Sequence, residues 1–189
     1  MSKIFQFKIT LQNSDPKIWR RFQVKDSISF YELHLVIQNV MGWTNSHLYQ
    51  FIHNKNQFIG NPEMNDWAEM TDAGEINLSE IFTKAKMKMR YEYDFGDGWN
   101  HELTLEKIVE ADKKQTYPFC LKGENNCPPE DCGGIWGFYE KLEILADKKH
   151  PDYEDMLDWI GDEYDPGFFD LVEINEALKD FEDIEIGLN

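Results

Sequence analysis

The segment 87–95, "MKMRYEYDF", alternates without a break. Met87, Met89, Tyr91, Tyr93 and Phe95 share one parity, and Lys88, Arg90, Glu92 and Asp94 share the other. Successive strand side chains point to opposite faces, so this run has one apolar face to bury and one polar face to leave in water. A sheet covered on one side only meets that demand, and antiparallel sheets backed by helices are built that way. The run continues through Gly96-Asp97-Gly98 into "WNHELTLEKI", which reads as the second arm of a hairpin.

Two further segments follow the same rule. "FQFKITL" places Phe5, Phe7, Ile9 and Leu11 on one face, and "IWRRFQV" places Ile18, Phe22 and Val24 on one face after the turn-like "NSDP". Arg20 falls on the apolar parity of that second strand. Either it snorkels to water from a strand end, or it turns inward to a carboxylate and marks a polar pocket. Segment 47–59, "HLYQFIHNKNQFI", is apolar on both parities and reads as a buried hairpin turning at Asn54-Lys55-Asn56.

Helices are signalled by their ends. Ser29 and Glu32 form a capping box, Ile28 and Leu33 a hydrophobic staple, and Gly42 stands where a C-cap glycine belongs. Leu33, Val36, Ile37, Val40 and Met41 line the face between. Asn77 with Glu80, and Asp170 with Glu173, repeat the capping device, the latter with Phe169 and Ile174 as its staple. Ile135, Phe138, Tyr139, Leu142 and Leu145 form another helical stripe, and "PDYEDMLDWIG" a short helix ending at Gly161. The order is ββαββαββ and then helices. It predicts one α+β domain over 1–189, with a mostly antiparallel sheet, strands in the first two-thirds and packed helices in the last third. No repeat and no low-complexity linker interrupts it.

Charge separates the halves. Residues 1–95 balance at 11 Lys/Arg and 11 Asp/Glu, whereas residues 96–189 hold 8 against 25, the whole of the net −17. The acidic, helix-rich part from about residue 133 disfavours direct nucleic-acid binding and suits either a solvated surface or a basic protein or peptide partner. No apolar run approaches the ~18 residues of a membrane helix, and "MSKIFQFKITLQ" lacks a signal peptide's apolar region. A cytoplasmic protein that does not associate with membranes is expected. Composition is silent on the oligomeric state.

Two stretches concentrate chemistry. In "DFGDGWNH", Asp94, Asp97 and His101 are ligand types. A three-residue loop at 96–98 sets Phe95 opposite Trp99, Tyr93 opposite His101 and Tyr91 opposite Leu103. That register keeps apolar against apolar, sends His101 inward and Asp94 to the other face, and so prevents the two from sharing an ion. A two-residue Asp97-Gly98 turn brings Asp94 opposite His101 but breaks the face match.

The second stretch is "CLKGENNCPPEDCGG". Cys120, Cys127 and Cys132 are spaced unlike a zinc knuckle and lack a fourth ligand, which His101, His150 or Asp131 would have to supply through space. An odd cysteine count in a reducing compartment argues against a disulfide framework. The structural alternative makes Pro128-Pro129 a stiff approach, Asp131 a helix N-cap with Glu130 beside it, and Gly133-Gly134 a tight turn before Trp136. A candidate pocket gathers Arg20, His34, Tyr93, His101, Glu130 and Asp131. A candidate zinc set gathers Cys120, Cys127, Cys132 and His101.

"IWRRFQV", "FYELHLVIQNVMGWTNSHLYQF", "YEYDFGDGWNHELTLEK" and "CPPEDCGGIWGFYEKL", in that order, resemble the plasmid pRi ORF-three-like family. The likeness extends to the "FD…IN" segment at 169–175. It implies a small α+β domain of bacteria and archaea, often encoded on plasmids or near mobile elements, and implies no activity, cofactor or catalytic residue. Trp19, Arg20, His34, Asp94, Asp97, His101 and 128–134 fall in its motifs.

No complete catalytic constellation stands in the sequence, so the reading leans away from an enzyme. The leading expectation is a non-enzymatic binding or accessory module with no cofactor, whose acidic surface takes a basic protein or peptide. The alternative is a metal-dependent hydrolase or nuclease using Asp, His and Cys around 94–132. A third reading is an acidic regulator of a nucleic-acid-binding protein.

Overall fold

A computed structural model of the chain describes residues 3–54, 57–64 and 69–183. The strands are β1 (Lys3–Leu11), β2 (Trp19–Lys25), β3 (Tyr49–His53), β4 (Gln57–Gly60), β5 (Met70–Asp72), β6 (Lys88–Tyr93), β7 (Trp99–Glu110) and β8 (Phe119–Glu124). The helices are α1 (Phe30–Met41), α2 (Leu78–Ile81), α3 (Gly134–Ala146), α4 (Tyr153–Ile160) and α5 (Leu171–Ala177). All eight strands form one sheet in the order β5-β4-β3-β6-β7-β1-β2-β8. The pair β4–β5 is parallel and the other neighbours are antiparallel. The α+β arrangement, strands first and helices later, is the one the alternation predicts. Residues 55 and 56 of the predicted 54–56 turn lie outside the described residues. Among the described residues no helix is long and apolar enough to cross a membrane.

Local chemistry explains why α1 sits where it does. Ser29 Oγ accepts from Glu32 N at 3.1 Å and Glu32 Oε2 accepts from Ser29 N at 2.7 Å, the reciprocal box that satisfies two free amides of the first turn. At the other end Gly42 adopts φ 82 and donates to Gln38 O at 2.8 Å. Leu33, Val36, Ile37 and Val40 bury completely or nearly so with Phe5, Phe7, Phe22 and Val24 of the sheet. Each such side chain contributes about 1.5–3 kcal/mol on leaving water. The stripe understates this helix, because Leu35, His34 and Gln38 are buried too. The C-terminal segment Leu178–Asp183, a 3-10 turn, packs on it, so α1 is covered on both sides.

Arg20 follows neither expectation. It lies on the core face opposite Ile9 and is buried, yet among the described residues no carboxylate forms an ion pair with it. Its Nε donates to Val40 O at 2.8 Å, and its Nη1 to Trp19 O and Glu124 O at 2.9 and 3.0 Å. Its Nη2 reaches Cys127 Sγ at 3.4 Å, and the Phe169 ring lies 4.9 Å from the guanidinium. One side chain thus ties β2 to the last turn of α1, the end of β8 and the approach to α5. The Val40 carbonyl belongs to the helix terminus where positive charge is favoured.

Asn175 of α5 closes part of the sheet's outer edge. Its Oδ1 accepts from Cys120 N at 2.8 Å and its Nδ2 donates to Cys120 O at 3.0 Å.

The β6–β7 hairpin corrects the predicted register. Tyr93 pairs with Trp99, Tyr91 with His101 and Met89 with Leu103, two residues from the expected pairing, so the connection runs from Asp94 to Gly98. Parity survives and His101 still faces the core. Strand β6 ends early because Asp94 turns left-handed at φ 53 and its Oδ1 accepts from Gly96 N and Asp97 N, a local bond that competes with the ladder. The N-cap of α3 is likewise Gly133, at φ 84, rather than Asp131.

Candidate functional site

Three loops meet at one end of the sheet: α1–β3 with Thr44 to His47, β6–β7 with Asp94 to Gly98, and β8–α3 with Pro128 to Gly133. The last two are fitted backbone to backbone. Gly133 N donates to Asp97 Oδ2 at 3.0 Å, and a Cβ on Gly134 would stand 2.3 Å from Asp97 O. That close approach explains the double glycine before Trp136. Gly134→Ala is therefore expected to cost about 3 kcal/mol or more, from the clash added to a left-handed backbone at φ 69. Gly98→Ala, at φ 67 with only ordinary contacts, is expected to cost about 1 kcal/mol. Urea unfolding of the two variants measures the difference.

Between these loops a carboxylate is held by its neighbours. Tyr93 Oη donates to Glu130 Oε1, while Glu130 Oε2 accepts from Thr44 N at 3.1 Å and from Thr44 Oγ1 at 2.5 Å. Ser46 N donates to Tyr93 Oη at 3.0 Å. Burial first, and then the Glu130 carboxylate, push the Tyr93 phenol well above its ordinary range. A phenol held protonated in this way is a donor rather than a base.

Beside that pair, His47 Nε2 lies 3.4 Å from Asp131 Oδ1 and 3.7 Å from Asp94 Oδ2. One ligand atom from each of His47, Asp94 and Asp131 lies within 4.8 Å of the others, and among the described residues this is the group able to hold a metal ion. His47 Nε2 is buried and among the described residues has no hydrogen-bond partner. Asp94 Oδ1 is occupied by the two loop amides, which aims Oδ2 at the histidine.

An aromatic layer lies beneath the loops. Trp43 stacks on Tyr93 at 5.1 Å, meets Trp99 at 5.8 Å and His101 at 5.3 Å, and donates through Nε1 to Pro128 O at 3.0 Å. His34 stacks on Tyr49 at 3.5 Å and bonds Tyr91 Oη and Asn45 Oδ1 at 2.8 and 2.7 Å. Burial lowers both His34 and His101 to about 3, so both imidazoles are neutral in the folded protein. Among the described residues, neither nitrogen of His101, nor Nε1 of Trp99, has a hydrogen-bond partner.

The structure thus divides the candidate pocket. His34, Tyr93 and His101 join the aromatic layer, and Glu130 sits at its rim. Asp131 turns to His47. Arg20 opens instead on a cleft of about 340 Å³ between the end of α1 and α5, flanked by Phe169, Asp170 and Glu173. The candidate zinc set is corrected, because its members do not converge. Cys120 lies by Arg21 O, Cys127 by Arg20 and Met41, and Cys132 by Gly134 O, and among the described residues no metal-holding group contains a cysteine or His101. Burial raises all three thiols, Cys120 to about 11 and Cys132 to about 12, the reverse of what a nucleophile or ligand thiolate needs. His47 is the residue the sequence reading missed. Its signal was the polar run "TNS" after the α1 C-cap, which makes it a loop residue and not a strand one.

The chain has relatives in sequence and in fold. A family model described as plasmid pRiA4b ORF-3-like protein matches residues 3–173. The uncharacterized protein y4hQ of Sinorhizobium fredii (strain NBRC 101917 / NGR234) is 36% identical over 183 residues, 95% of this chain and 93% of that protein. The crystal structure of the protein of unknown function MM3350 from Methanosarcina mazei Go1 has 37% identity and a TM-score of 0.83, covering 92% of this chain and 97% of that one. These names state no activity.

Proposed function

The chain belongs to the plasmid pRiA4b ORF-3-like family, and from that membership, which brings a fold and no assigned chemistry, we propose that it is a cytosolic binding module for a basic peptide segment. The observation that carries this reading is an apolar cleft of about 280 Å³, walled by Pro16, Ile18, Phe138, Tyr139, Leu142 and Pro166. One wall of it, with Phe138, Tyr139, Leu142 and Pro166, comes from the most acidic part of the chain. Residues 134–183 hold 4 Lys/Arg against 16 Asp/Glu.

Like charges that crowd one surface attract an opposite partner and speed its arrival, and an apolar cleft between them fixes where it seats. The same layer leaves large apolar side chains in water, with Trp136 77% and Trp159 45% exposed. Lys141 sits 5.2 Å over the Trp159 ring, so that aromatic face already receives a cation. The occupant this surface fits is a segment with one apolar side chain flanked by lysine or arginine.

The test is calorimetric titration with a synthetic peptide of that pattern, at low and at high salt. Saturable binding that weakens with salt is expected. Glu140→Lys with Glu143→Lys, two exposed positions on α3, should weaken it at least tenfold without changing the fold. An acidic peptide bound equally well, or a charge-reversed variant with unchanged affinity, overturns the reading.

A further inference from the structure

We infer that His47, Asp94 and Asp131 form a solvent-open site for one divalent transition cation of the zinc class. The site is independent of the cleft assigned to the peptide. The two N···O separations of 3.4 and 3.7 Å are too long for hydrogen bonds. The first falls among the edges of a coordination polyhedron and the second stands just beyond them, because ligands about 2.0–2.2 Å from a tetrahedral ion stand roughly 3.3–3.6 Å from one another.

His47 Nε2 supports the same conclusion from a different side. It is a buried ring nitrogen, next to two carboxylates, with no hydrogen bond among the described residues. A cation supplies what that atom lacks. The neighbouring groups leave the three ligands free for it: Glu130 is engaged by Tyr93 and Thr44, Asp97 Oδ2 accepts from Gly133 N, and Asp94 Oδ1 is held by its own loop. Each ligand comes from a different loop, so an ion here joins the α1–β3, β6–β7 and β8–α3 connections. The donor set of one imidazole and two carboxylates excludes a preference for soft ions. Three protein ligands leave a position for water, and the Asp131 side chain is 77% exposed, so solvent reaches it. On this inference the ligands are histidine and aspartate and not cysteine, and His47 lies outside the 94–132 stretch on which the metal-dependent hydrolase or nuclease reading drew.

The experiment uses the full-length, untagged protein, stripped with chelator, titrated with zinc and separately with cobalt(II). One equivalent of zinc is expected to bind and to raise the unfolding temperature. Cobalt(II) should give d–d absorption without a thiolate charge-transfer band. Asp131→Asn, at an exposed position that folding tolerates, and His47→Asn should each weaken zinc at least 100-fold, by comparison with the 10–100-fold lost when only an outer partner of a ligand is removed. Circular dichroism confirms that the variants are folded. Absence of stoichiometric binding, binding unchanged in Asp131→Asn, or a thiolate band with cobalt(II) each overturns the site.

Discussion

Titration from pH 7 to pH 3 is expected to unfold the protein cooperatively, with uptake approaching two protons, because His34 and His101 are buried as neutral rings. Both have a folded value near 3 against an ordinary value of 6.5. The folded state therefore binds fewer protons than the unfolded chain in that window. The stabilisation is whole above pH 6.5 and is lost progressively as the pH falls toward 3. At 1.36 kcal/mol per pH unit, each histidine accounts for about 5 kcal/mol, and the pair for as much as a typical domain's total stability. Glu106, held below its ordinary 4.5 first by the Arg21 hydrogen bond, adds a further loss at the acid end.

Urea unfolding at successive pH values checks this, with a limiting slope of about 2.7 kcal/mol per pH unit. The two histidines are separable. His101→Phe removes one proton from the slope and, since neither ring nitrogen has a partner, costs little at pH 7. His34→Phe removes the other proton but leaves Tyr91 Oη with Gln38 Nε2 alone and takes the ring partner of Asn45 Oδ1, and so destabilises at neutral pH. A stability flat between pH 6.5 and 4 would refute the account.

Arg20→Ala carries the second large effect, a loss of about 4 kcal/mol or more. It removes the donors to three main-chain carbonyls, those of Val40, Trp19 and Glu124, the first two of these bonds being buried. It also takes away the side-chain stem that packs between Gly123 and Phe169. Arg20→Lys should recover part of the loss, because an ammonium has donors but not the planar fork that serves Nε and both Nη atoms at once. Chemical denaturation of the two variants measures this. A cost below about 1 kcal/mol for the alanine would show that the arginine is not what ties α1, β8 and α5 together.

These residues show where the sequence was readable. The parity of Met87 to Tyr93 put His101 in the core, and Ser29, Glu32 and Gly42 marked the ends of α1. Both signals are short-range, since a period of two or a cap acts over a few residues. The pairing of the β6–β7 hairpin was not readable, because alternation gives the face and not the strand's last residue. Asp94 ended the strand by bonding its own loop. Asp131 was read as a cap because carboxylates favour that position, yet its partner His47 stands far away in the chain. The site is an encounter of three loops, and composition within any one of them says nothing of the other two. Tyr93 and Glu130 were both candidates, and their hydrogen bond emerged only from the fold.

One small contact bears on how the molecule behaves in a crowded solution. Strand β8 ends the sheet, and a bare border of that kind invites another chain to continue the ladder. The carboxamide of Asn175 occupies both main-chain groups of Cys120 from outside, as an approaching strand would. A stray neighbour meets an interrupted row there, and growth by strand addition is checked by a single amide donated from within.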